Sequence, residues 1–181
     1  MKYNEFMPEC YIDSTLVGSL LDAKISHKHS CNEVAKEMEK GKFKDAFAVG
    51  IIDNDKRKIS YIESFEEIGR TDNLTFLKHK NKHQYVIKVG QECKAMETFI
   101  KANVEAIGMK MEDFDLPSDL VELIEQTKSV STMKDPRIQK LFKTLRQSPE
   151  VAKLQDILAY LATNKYNVDI EELKNKITQL M

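Results

Sequence analysis

The chain has 181 residues, 41% of them apolar and 31% charged, with 28 basic against 29 acidic side chains and a net charge of −1. This composition is that of a globular domain and excludes collagen-like and disordered classes, and no apolar run approaches the ~20 residues of a membrane-spanning helix. Near-zero charge also excludes nucleic-acid binding through a global basic field, so contact with DNA or RNA requires a local patch or metal ions.

A chain of this length buries roughly 70% of its unfolded surface, so its core needs no disulfides. Cys10, Cys31 and Cys93 form no C-x-x-C pair, and MKYNEFMPEC has no signal-peptide apolar core. Both point to a reducing, cytoplasmic setting.

In chain order, Glu9–Asp13 (ECYID) predicts a short strand. Ser14 follows as N-cap of a helix over 15–23, where Leu16, Val17, Leu20 and Leu21 recur at helical spacing. Lys24–His27 reads as a second short strand. Val34, Ala35 and Met38 place a helix over 31–40, stopped by Gly41. Ala46–Asp53 (AFAVGIID) is apolar almost throughout, as a strand buried on both faces of a parallel sheet must be. A polar turn follows, and then Ile59, Ile62, Phe65, Glu66 and Ile68 suggest a helix ending near Gly69. Leu74–His79 and His83–Val89 predict two strands joined by a tight turn at 80–82. Gln91–Ile107 predicts a helix.

Beyond Leu116 only helical patterns remain, over 118–129, 135–147, 149–164 and 169–180. Pro136 and Pro149 each stand at a first turn. Strand–helix units followed by helices alone predict an α/β fold. Its mostly parallel sheet lies between helices in residues 1–115, and a helical cap occupies 116–181.

Chemistry concentrates at two places. Asp53-Asn54-Asp55 closes the buried strand, and ligands of open α/β sheets bind outside the carboxyl ends of their strands. Two carboxylates there suit a hard cation such as Mg²⁺; the plain alternative is an Asx-rich turn. Asp13 closes the first predicted strand, which can lie beside the third, and otherwise serves as a helix cap.

The order of an acid after strand one, helix, strand, helix, then an apolar strand ending in D-x-D resembles the Toprim domain of topoisomerases, primases and OLD-type nucleases. CYIDSTLVGSLL and AVGIIDNDKRK carry the resemblance, which covers roughly residues 9–105. It implies a Toprim-like sheet and Mg²⁺ (or Mn²⁺) held by Asp13, Asp53 and Asp55. Glu97 in AMETFIKAN occupies the place of a further metal-binding acid of OLD-like members. The implied activity is nuclease-like phosphodiester hydrolysis at Asp13, Asp53 and Asp55, with Asp13 binding metal or acting as general base. The family's first acid is usually Glu followed by Gly, and a second acid stands a few residues on. Here Ser14 follows Asp13 and Val17 takes the second place. The intact D-x-D favours a nuclease; the altered first motif favours a non-catalytic module of the same fold that binds a partner protein.

Other features are weaker. His27, His29 and Cys31 are natural zinc ligands, but no fourth ligand follows at a recognisable spacing; His29 or His27 at the same sheet edge suits a substrate phosphate better. Lys56 and Arg57 either meet substrate phosphate or offset the acidic pair. The lysines of 78–88 suit a polyanion or protect an edge strand. The basic residues of 134–146 read first as a solvated helix face. No Walker, dinucleotide or nucleophile-elbow glycine motif occurs.

Overall fold

The computed structural model describes residues 3–54, 59–90 and 95–179. Its strands β1 (Phe6–Pro8), β2 (Ala48–Asp53), β3 (Phe65–Arg70), β4 (Leu74–His79) and β5 (Gln84–Val89) form one mixed sheet in the order β1-β2-β5-β4-β3. The pairs β1–β2 and β2–β5 are parallel, while β5–β4 and β4–β3 are antiparallel. Helices α1 (Tyr11–Leu21), α2 (Cys31–Glu39) and α3 (Met96–Ala106) accompany the sheet. The chain continues as α4 (Leu120–Thr127), α5 (Pro136–Leu145), α6 (Pro149–Asn164) and α7 (Ile170–Thr178). Among the described residues no helix is long and apolar enough to cross a membrane.

The unbroken apolar run of β2 has the expected cause. Val49 and Ile51 belong to the buried cluster on one face of the sheet, and Ala48 and Ile52 to the cluster on the other. β2 lies between two parallel neighbours, as its sequence predicts. Gly50 allows α2 to approach closely: a Cβ there would stand 2.8 Å from Val34 Cγ1.

Three local expectations are corrected. Glu9–Asp13 is not a strand. The strand lies upstream at Phe6–Pro8, and the chain enters α1 at Tyr11, so Asp13 sits in the first helical turn. Ile12, Leu16, Val17 and Leu20 repeat at helical spacing and are all buried, and that burial outweighs the β-propensity of Cys, Tyr and Ile. Lys24–His27 forms no strand, although Lys28 N–H donates to Pro8 C=O at 2.7 Å and ties this segment to the end of β1. Residues 59–69 are not a helix: a 3₁₀ turn at Ser60–Ser64 leads into edge strand β3. There a bulge between Glu67 and Gly69 breaks the alternation that marks a strand.

The four predicted C-terminal helices are present. Leu141, Phe142, Leu154, Leu158, Leu173 and Ile177 join Val49, Ile51 and Ile87 in one buried cluster. At Gly69 a Cβ would meet Ile177 Cγ2 at 2.8 Å, so α7 packs directly on β3.

Glu150, in the first turn of α6, holds the β3–β4 turn. Its carboxylate accepts from Thr71 Oγ1, from Asn73 N at 2.9 Å, from Asn73 Nδ2 at 2.8 Å and from Asn103 Nδ2 at 3.4 Å. Asn73 is buried, so removing the acceptor strands its donors away from water, while Asn103 Nδ2 keeps its 2.8 Å bond to Phe99 C=O. Glu150→Ala is expected to lower stability by about 3 kcal/mol, read as an earlier urea midpoint at unchanged slope.

Candidate functional site

The carboxyl ends of β1 and β2 are adjacent, and each ends on an acid. Glu9 directly follows β1; its N–H donates to Ile51 C=O at 2.9 Å, and its Oε2 accepts from Asp53 N at 3.2 Å. Asp53 is the last residue of β2, and its Oδ1 accepts from Met96 N, in the first turn of α3, at 2.9 Å. Asp13 lies in the first turn of α1 and its Oδ2 accepts from Cys10 N at 3.1 Å. The amino ends of α1 and α3 thus both meet this acidic edge, where their dipoles favour negative charge.

Asp13 is only 1% exposed. Its Oδ1 is buried with no hydrogen-bond partner among the described residues. Burial, then the charge of Asp53 and more weakly that of Glu9, push its carboxyl well above the usual carboxylate range, against the two hydrogen bonds from Cys10. Burial and the Asp13 charge likewise push the Cys10 thiol up. It stays protonated, which argues against a nucleophilic role.

Glu97 is buried in the first turn of α3, and its Oε1 accepts from Thr127 Oγ1 at 2.5 Å. It lines a cavity of about 170 Å³ together with Glu9, Tyr11, His27, His29 and Lys128. The Tyr11 ring packs on His27 at 4.0 Å, and the His27 and His29 rings meet edge-on at 4.9 Å. Burial and then His29 hold the His27 imidazole below its ordinary value, against the opposing pull of Glu33.

The structure therefore brings Asp13, Asp53, Glu97 and His29 to one end of the sheet and adds Glu9 and Lys128. Asp55, Lys56 and Arg57 lie outside the described residues. Glu9 was hidden by the misplaced first strand; its signal was the Glu9–Asp13 spacing of four across a strand-to-helix junction. The zinc pattern separates, since Cys31 packs with Met7 and Val34 in the cluster on the far face of the sheet. Among the described residues no three His, Cys, Asp or Glu side chains form a metal-holding group.

Several of the other basic residues are engaged elsewhere. The β4–β5 hairpin lies at the amino end of β5, opposite the acids, where Lys80 pairs with Glu66 and Lys82 with Asp45. Arg137 bonds Asp135 and the Asp115 carbonyl, and Arg146 bonds Asp22 and the Ser19 carbonyl. No family model, curated protein or solved structure matches the chain.

Proposed function

We propose that the chain is a Toprim-like, Mg²⁺-dependent phosphodiester hydrolase of nuclease type, in which Asp13 and Asp53 join Asp55, which lies outside the described residues, as the metal-binding acids, with Glu9 beside them. The observation that carries this reading is Asp13, buried beside two further carboxylates with a carboxylate oxygen that has no partner among the described residues. An uncompensated buried charge is costly, and a divalent cation is a direct compensation. The donors are all carboxylate oxygens, the set that suits Mg²⁺ or Mn²⁺.

The corrected position of β1 supports the same reading. With the strand ending at Pro8, Glu9 takes the place of the family's first acid and Asp13 that of the second. Cys10 stands where glycine is usual. Asp55, two residues beyond Asp53, completes the D-x-D in sequence.

A bound divalent ion supplies polarisation of the scissile phosphate and an activated water. The chain supplies placement. Asp53 is held by Met96 N, and Glu9 is held against the Asp53 backbone, so these two acids sit on rigid strand ends rather than on mobile loops. Glu97, engaged by Thr127, serves as an outer acid that orients the site. The free thiol of Cys10 accords with a cytoplasmic setting.

The test is cleavage of single- and double-stranded DNA and RNA with Mg²⁺ or Mn²⁺. The parent is expected to cut at least one of these. Glu9→Gln, Asp13→Asn and Asp53→Asn should each reduce the rate by about 100-fold or more, beyond the ~10–100-fold cost of losing an outer-shell partner. If the parent cuts none of the four, the partner-binding module becomes the better reading.

A further inference from the structure

We infer that the cavity between Lys128 and the His27–His29 pair is a phosphate subsite of the same centre, shaped to take one phosphate of a single-stranded nucleic acid. The inference rests on the hydrolase reading and specifies the substrate.

Size is the first argument. At about 170 Å³ the cavity is well below the ~300 Å³ at which pockets begin to enclose whole small molecules. It admits a group, and the remainder of the ligand must lie outside.

Chemistry is the second. His27 Nε2 is buried and has no hydrogen-bond partner among the described residues. The imidazole is fixed by the Tyr11 ring on one side and the His29 ring on another, and its segment is anchored to β1 through Lys28 N–H and Pro8 C=O. Lys128 brings a cationic donor from just beyond the end of α4. An imidazole N–H and an ammonium are natural partners for phosphate oxygens. The lining also includes Glu9 and Glu97, which repel an anion, so a divalent ion on the acids strengthens phosphate binding.

Continuity is the third. His27, His29, Thr127 and Lys128 line this cavity; residues 23–26 together with Val130, Met133 and Lys134, from the same two segments, line a second one of about 680 Å³ along α1. Its walls include Gly18, Ile25, Met133 and Phe142 with Lys24 and Lys134. That size and mixture suit an unpaired base and sugar with an adjoining phosphate.

The experiment uses the ring C–H signals of the four histidines by NMR, assigned with His27→Asn and His29→Asn. Inorganic phosphate added in Mg²⁺ is expected to shift His27 and His29 and to leave His79 and His83 in place. Lys128→Gln should weaken that binding about 10-fold, as loss of a charge-assisted hydrogen bond predicts. A thymidylate tetramer in Ca²⁺ should move the same two histidines and also the Met133 methyl, assigned with Met133→Leu. Still histidines, equal movement of all four, or an unaffected Lys128→Gln would overturn the subsite. Movement with phosphate but not with the tetramer would overturn the nucleic-acid assignment. Phosphate binding that is identical in Mg²⁺ and in EDTA keeps the subsite and counts against the metal-dependent reading. A Mg²⁺-dependent rise in melting temperature with still histidines does the reverse.

Discussion

Without metal, Asp13→Asn is expected to be more stable than the parent at pH 8, with the advantage shrinking as pH falls. The Asp13 carboxyl is raised in the folded chain by burial and by Asp53, while in the unfolded chain it titrates at the ordinary value. Between those two values the folded state holds a proton that the unfolded state releases. Stability from this group is therefore complete below pH ~4 and is lost as pH rises through the folded value, at up to ~1.4 kcal/mol per pH unit. Asparagine can keep the acceptor for Cys10 N without the charge. His27 and His79 titrate below their ordinary values. They act in the opposite sense, contributing stability above pH ~6.5 that falls away as pH drops towards their folded values. Both proteins contain them, so they cancel in the comparison. Urea denaturation of the two proteins at pH 5, 6.5 and 8 measures the effect; a constant difference across that range would show that Asp13 is not the strained carboxylate.

Millimolar Mg²⁺ is expected to remove the parent's disadvantage. An ion that binds only the native state at about 100 times its dissociation constant adds ~2.7 kcal/mol. For a chain of this length each kcal/mol moves the melting temperature by roughly 2–4 °C, which gives a rise of about 5–10 °C. Asp13→Asn and Asp53→Asn should show little or none of that rise, while Glu150→Ala, which removes none of these acids, should show it from a lower starting point. Calorimetry with and without Mg²⁺ or Mn²⁺ reads this directly. A parent whose melting temperature ignores both ions would argue against a metal at these carboxylates.

How much of this was legible in sequence depends on how each segment is buried. β2 is covered on both faces, so every position had to be apolar and the run declared itself. The C-terminal helices carry one buried stripe each, with Asp119, Asp135 and Asp169 capping α4, α5 and α7, and periodicity with caps suffices there. β1 failed because three residues, one of them Pro8, are too short to show a pattern, while ECYID beside it has β-prone residues. β3 failed because Ile62, Phe65 and Ile68 imitate a helical stripe across a 3₁₀ turn and a bulge. Of the site, Asp53 was legible as the polar end of an apolar strand. Glu9 was not, because its role depends on where β1 stops, and Lys128 was not, because only the packing of α4 brings it to His27.

The cluster that joins the sheet to the last three helices also constrains how the chain reaches its fold. β5 ends at Val89, but α7, which covers β3, ends at Thr178, about 90 residues later. At roughly 5–20 residues per second, a ribosome takes about 5–20 s to deliver that covering layer after the sheet's last strand has been made. During that interval Val49, Ile51 and Ile87 lie on an unfinished surface, next to a parallel pairing that itself forms slowly. The nascent chain thus passes through a window of aggregation risk set by gene order rather than by final stability. Premature stops between α5 and α7 should give insoluble products even where the acidic end of the sheet is complete in sequence.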